Sequence, residues 1–155
     1  MAELVYDKDG RLLFTKEMKK EYTLLMPQML PVHFGMFQKL LQLEGYQVDM
    51  LTTHHRAIVE EGQKYVHNDT CYPALLVIGQ LIEAVKNGGY DPPKGAPLIT
   101  QTGGGRRASN YIHPLRKALP KAGYGFIPPV SPQLRVGEKP RLCPRPRLVP
   151  KQGPV

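Results

Sequence analysis

Apolar and polar positions alternate along this chain in blocks of two different periods. Leu4-Val5-Tyr6 and Leu12-Leu13-Phe14 flank a turn containing Asp9-Gly10, which predicts a small N-terminal hairpin. Lys16 to Glu21 is charged and reads as a solvated linker or a helix turn. Tyr22 to Met26 is a short apolar run ended by Pro27 and Pro31, the signature of a buried strand. From His33 onward Phe34, Phe37, Leu40 and Leu41 recur at helical spacing, and Gly45 is the expected C′ residue of that helix. Val48 to Leu51 predicts a second strand, and Arg56 to Tyr65 a modest helix. Asn68-Asp69-Thr70 is a cluster of N-cap residue types, with Thr70 the expected cap and Cys71 the first helical residue. Behind it, Cys71 to Lys86 is apolar on nearly every face, so this helix should be deeply buried. Pro73 suits its first turn, and Asn87-Gly88-Gly89 stops it. Pro97 to Thr100 predicts a third strand that runs into a glycine triplet. Ala108 to Leu119 has helical character, although Pro114 and Pro120 would each remove a backbone hydrogen bond from a helix interior. Gly125 to Pro128 predicts a fourth strand.

Short strands alternating with helices argue for an α/β domain with a mainly parallel sheet. Functional loops are then expected at the carboxyl ends of the strands, here Pro27–Pro31, Thr52–His55 and Gln101–Arg107. The length of 155 residues fits one domain and can bury a core without disulfides. The expected division is a hairpin and linker over 1–21, the α/β domain over 22–130, and a poorly ordered tail over 131–155. That tail is rich in Pro and Arg and has sparse, unperiodic apolar content.

Charge sharpens this division. Residues 1–105 carry 10 Lys+Arg against 12 Asp+Glu, a net of −2, whereas 106–155 carry 11 Lys+Arg against Glu138 alone, a net of +10. The formal charge of +8 therefore describes the last third and not the part expected to fold. A nucleic-acid reading would rest on the tail alone, and no aromatic interleaving or binding motif supports it. No run approaches 18 apolar residues, so no membrane span is expected. The N-terminus lacks the layout of a secretory signal, and two cysteines make no disulfide framework; a reducing, cytoplasmic setting is the expectation.

Three features could carry chemistry. Cys71, at the start of the buried helix, would meet free N–H groups and the positive dipole end, a setting that favours a thiolate as metal ligand or nucleophile. The alternative is a small residue packed at a helix start. The loop from Thr102 to Tyr111 places Gly103, Gly104 and Gly105 before Arg106 and Arg107, so backbone N–H groups and positive charge could hold a phosphate. It matches neither dinucleotide nor Walker A spacing, and a plain tight turn also explains it. His54, His55 and His67 lack chelating spacing, and Cys143 sits in the basic RLCPRPR stretch, where no held geometry is expected.

The stretches LMPQMLPVHF (25–34), YVHNDTCYPALLVIGQLIEAV (65–85) and ITQTGGGRRASNYI (99–112) resemble the 2-hydroxyacyl-CoA dehydratase superfamily. More narrowly, they are similar to a module of the CoA-substrate-specific enzyme activase-related, or 2-hydroxyglutaryl-CoA dehydratase-like, proteins. The similarity covers about residues 3–130, and NDTCYP and the glycine-loop segment are its specific part. It implies Rossmann-like units with helices on both faces of a mainly parallel sheet, and a 4Fe–4S cluster held by cysteines from different loops. It also implies a partner activase that uses ATP to drive an electron into the enzyme, so that a 2-hydroxyacyl-CoA loses water by radical chemistry in anaerobic metabolism. Carried over, Cys71 is the expected cluster ligand, Asn68, Asp69 and Tyr72 its local support, and Gly103–Gly105 the shape of the second loop. The family pattern has a cysteine directly after the glycine triplet, where this chain has Arg106. The chain is thus expected to be one module of a larger protein, or a version that has lost the site, and inactive alone. A phosphate- or CoA-binding module without redox function is the alternative, and a weak nucleic-acid binder a further one.

Overall fold

The computed structural model describes residues 5–6, 12–15, 17–102, 111–131 and 133–134. β1 (Val5–Tyr6) and β2 (Leu12–Leu13) pair antiparallel, as the two apolar triplets predict, with Val5 opposite Leu13. The elements that follow are α1 (Met18–Glu21), β3 (Thr23–Pro27), α2 (Pro31–Leu43), β4 (Gln47–Leu51), α3 (Ala57–Tyr65) and α4 (Tyr72–Asn87). After a 3-10 turn at Pro92–Lys94 come β5 (Gly95–Pro97), β6 (Gln101–Thr102), α5 (Ile112–Lys121) and β7 (Gln133–Leu134).

The molecule is a mixed α/β structure around a small parallel sheet. β3 lies between β4 and β5 and is parallel to both, with Thr23 opposite Gln47 on one side and Gly95 on the other. Beyond β5, Leu98 bridges Val130, and β6 pairs in parallel with β7.

Several boundaries differ from the expectation for identifiable reasons. α2 begins at Pro31, because a proline at the first helical position loses no intrahelical bond. The third strand starts at Gly95 and continues in two pieces as it passes from pairing with β3 to pairing with the 130–134 segment. The fourth strand is not Gly125–Pro128. Tyr124 to Ile127 forms a turn, and Pro128 and Pro129 have no N–H to give to a ladder. Val130 is the first residue past them that can donate, and it donates to the Pro97 carbonyl at 2.8 Å. α5 begins at Ile112, four residues later than expected, which places Pro114 harmlessly in its first turn and leaves only Pro120 inside the helix. Gly45, with φ of 82°, ends α2 as anticipated.

Alternation along β3 divides the core between the two faces of the sheet. Leu24 and Met26 face one way and pack with Leu41, Val48, Leu98 and Val130, while residues of 12–22, among them Phe14 and Met18, complete the cover. Leu25 faces the other way and packs with Leu51, Ile78, Ile82, Ile99 and Leu115 from beneath α4 and α5. Helices therefore lie on both faces. Among the described residues no helix is long and apolar enough to cross a membrane.

α3 and α4 meet at their backbones. A methyl group added at Gly62 would stand 2.5 Å from the Leu75 carbonyl oxygen, and one at Gly79 would overlap the Ile58 carbonyl oxygen and crowd Gly62. The two glycines thus let the helices approach more closely than any side chain permits. Beside this contact Glu61 accepts from Lys64 and from Lys86, and Lys86 also donates to Tyr65 at 2.9 Å. Burial pushes the Glu61 carboxyl up, but the hydrogen bonds from Lys64 and Lys86 outweigh it and hold it below its usual range. Burial likewise opposes the charge on Lys86, and the bonds to Glu61 and Tyr65 more than restore it.

The glycine contact makes a paired prediction. Gly79→Ala should lower the stability of the chain by about 2 kcal/mol, the scale of core overpacking. Gly35→Ala, at a helical glycine with open space around it, should raise stability by roughly 0.5–1 kcal/mol. Urea denaturation of both variants is the measurement; equal effects would refute the backbone contact.

Candidate functional site

The site begins with Gln80. Its side-chain amide, buried in the middle of α4, donates to the Leu51 carbonyl at 3.1 Å and to the Thr53 carbonyl at 3.0 Å. Those carbonyls are at the carboxyl end of β4, so the middle of α4 is pinned to the rim of the sheet. Nine residue steps separate the N-cap of α4 from Gln80, and at 1.5 Å per step they carry the start of α4 roughly 13 Å beyond that rim. Cys71 stands there.

Cys71 is the N-cap of α4 and not its first helical residue: its φ and ψ of −60° and 141° are extended, and its carbonyl accepts from Ala74 and Leu75. The cap lies one position later than expected, which puts Pro73 at the second helical position, where its missing N–H costs no intrahelical bond. The Cys71 side chain is half-buried, and Sγ lies 3.6 Å from the Tyr111 hydroxyl, either group being able to donate. Tyr111 is itself the N-cap of α5. Two helix N-termini from segments 40 residues apart therefore converge beyond the carboxyl end of the sheet, and neither has a side-chain cap. Burial, reinforced by the hydrogen bond to Cys71, pushes the Tyr111 hydroxyl up to about 12. Tyr90 is pushed to about 12 by burial and by its hydrogen bond to Asp49, on the face of the sheet that α4 covers.

Of the other residues singled out by sequence, Gly103, Gly104, Gly105, Arg106, Arg107 and Cys143 lie outside the described residues. The flanks of the glycine loop are described: β6 on one side and Tyr111 on the other. Asp69 closes a turn in which its amide donates to His67 Nδ1 at 3.2 Å, and Tyr72 is exposed. His55 reaches the buried Glu83 carboxylate at 3.5 Å on the rim near Gln80. Among the described residues no group of three or more His, Cys, Asp or Glu side chains could hold a metal ion.

Sequence reading missed Tyr111, Gln80 and Glu83. The last two had a usable signal, since amide and carboxylate groups inside an otherwise apolar helix must find partners at its buried face. Tyr111 had none, because its contact with Cys71 depends on where the two helices start.

Comparison with family models, with curated proteins and with solved structures gives no match to this chain.

The donor set tests the expected cluster. A 4Fe–4S cluster takes four cysteine thiolates in the usual case. Cys71 is the one cysteine among the described residues, its sulfur is turned to a tyrosine hydroxyl, and the whole chain has only one other, Cys143. Arginine at 106 offers no thiolate. The residues of this chain do not fit such a cluster by themselves.

Tyr111 and Tyr90 hold their protons more tightly in the folded chain than when unfolded, where tyrosine titrates near 10.0. Their contribution to stability is complete below pH 10 and is lost as pH rises from 10 through about 12. Tyr111→Phe should make that alkaline loss shallower and remove one late-ionising tyrosine from an ultraviolet titration. An unchanged number of late-ionising tyrosines would refute the burial of this hydroxyl against Cys71.

Proposed function

We propose that this chain is a Rossmann-like module of the 2-hydroxyacyl-CoA dehydratase-like, activase-related kind, with one thiol position retained at Cys71 and the position after the glycine triplet changed to arginine. In this reading the chain does not complete an iron–sulfur centre alone and is inactive alone. Other modules of a larger chain would supply the missing thiolates, and an ATP-using activase the electron. The observation that carries it is the meeting of Cys71 with Tyr111. It joins NDTCYP to the end of the glycine-loop segment, the two most specific stretches of the resemblance, beyond the carboxyl ends of parallel strands. Ligands of open parallel α/β sheets bind on that side.

Anaerobic reconstitution with iron and sulfide, followed by absorbance and EPR spectroscopy, tests this. The native chain should bind little cluster, and Arg106→Cys should increase bound iron and sulfide several-fold, an increase that Cys71→Ser in the same background removes. Failure of Arg106→Cys to increase iron binding would refute the carry-over of the ligand position.

A second reading is favoured by the two uncapped helix N-termini. The positive ends of their dipoles suit an anion such as a phosphate of coenzyme A, with Arg106 and Arg107 nearby in sequence. On this reading, calorimetric titration with an acyl-CoA gives saturable binding that Arg106→Ala weakens about tenfold. No heat at millimolar ligand would remove it.

A further inference from the structure

α2 is apolar on two faces. Phe34, Phe37 and Leu41 pack toward the sheet, and Gln38 donates to the Val48 carbonyl at 3.2 Å. On the opposite side Val32, Met36, Leu40 and Leu43 are 73%, 63%, 59% and 83% exposed. At about 100° per residue these four occupy an arc of roughly 80° and form a continuous stripe along the helix. The solvent face of an ordinary surface helix is charged. This helix has a single permanent charge, Lys39, at the edge of the stripe.

We propose that the α2 stripe is the contact between two copies of this chain, paired antiparallel about a two-fold axis. Three features select a second copy as the occupant. In a two-fold contact each patch meets itself, so a charged stripe would oppose like charges, whereas this one opposes methyl and methylene groups. Val32, Met36, Leu40 and Leu43 carry no charge, so the stripe offers nothing to a partner selected by charge, acidic or basic. The area also fits. The exposure of the four side chains amounts to roughly 500 Å² per chain, or roughly 1,000 Å² for a pair, the size at which specific interfaces begin. A patch of that extent lies at the upper end of what a monomer ordinarily leaves in water, where such patches are often functional. The expected dimer is therefore modest and concentration-dependent. In the antiparallel arrangement the centre of the stripe puts Met36 of each copy against Leu40 of the other.

Sedimentation velocity of the 155-residue chain, from about 1 to about 500 μM, is the test, over the range in which interfaces of this size associate. The native chain should pass from monomer to dimer. Leu40→Glu and Met36→Lys should each weaken association at least about tenfold with unchanged far-ultraviolet circular dichroism, because both positions are exposed. The double variant Met36→Lys with Leu40→Glu should regain it, since opposite charges then face each other across the axis. A native chain that stays monomeric throughout overturns the proposal and leaves the stripe to a different partner. A dimer unaffected by either single change overturns it by placing the contact elsewhere, and a double variant that does not regain association overturns the antiparallel pairing.

Discussion

Everything on one face of the sheet depends on the crossing of α3 and α4 at Gly62 and Gly79. With any side chain at either position the helices would stand further apart. α4 could not then lie against the sheet with Ile78 and Ile82 in the core while it also touches α3 along its other side. The close approach sets the depth of α4. That depth puts Gln80 within reach of the Leu51 and Thr53 carbonyls and Lys86 within reach of Glu61. These polar ties are affordable in a buried helix because each group finds a partner of matching chemistry. They also fix α4 along its axis, so the location of Cys71 follows from contacts made nine and fifteen residues away.

The two faces of the sheet are covered in different ways, and the difference follows from connection order. β3 is central, and the chain moves first to β4 through α2 and then back across β3 to β5 through α3 and α4. Two helices in that second crossover, joined by α5, make a broad layer over Leu25 and Ile99. The other face receives α2 alone, and the N-terminal hairpin with α1 supplies what one helix leaves open: Leu12, Phe14, Met18 and Tyr22 complete the cover over Leu24 and Met26. Leu12 and Phe14, in and just after the second hairpin strand, thus belong to the core. Phe14 and Tyr22 seal it edge to face with ring centroids 6.1 Å apart.

Much of this was legible in the sequence, and the errors have a common cause. Element type came through wherever the apolar period was long, as in Cys71–Lys86, or the run was short and closed by proline, as in Tyr22–Met26. Boundaries failed where proline acted through what it withholds. Pro31 opens α2 two residues earlier than expected, where its missing N–H costs no intrahelical bond, and Pro128-Pro129 displace the fourth strand to Val130 because a ladder needs an N–H. At the candidate site, Cys71 was visible as a residue at a helix start, a local property. Its meeting with Tyr111 was not visible, because it is set by the glycine crossing, the Gln80 tie and the late start of α5 acting together. The glycines at 62 and 79 lie in windows that read as ordinary helix, and only the packing of one against the other reveals their purpose.

Two kinds of incompleteness remain in a chain whose core is otherwise closed, and they sit at different places. The sulfur of Cys71 lies beyond the carboxyl end of the sheet, on the α4 side, as the single thiol among the described residues. The bare stripe of α2 lies on the opposite face, over β3 and β4. A contact made through α2 would leave the helix starts at Cys71 and Tyr111 uncovered, since the whole sheet stands between them. Pairing of two copies through α2 would therefore not bring two Cys71 thiols together. Any thiolates added to Cys71 would approach from the carboxyl-end side, and α2 is free to serve assembly alone. Separation of this sort lets an interface and a ligand site change independently.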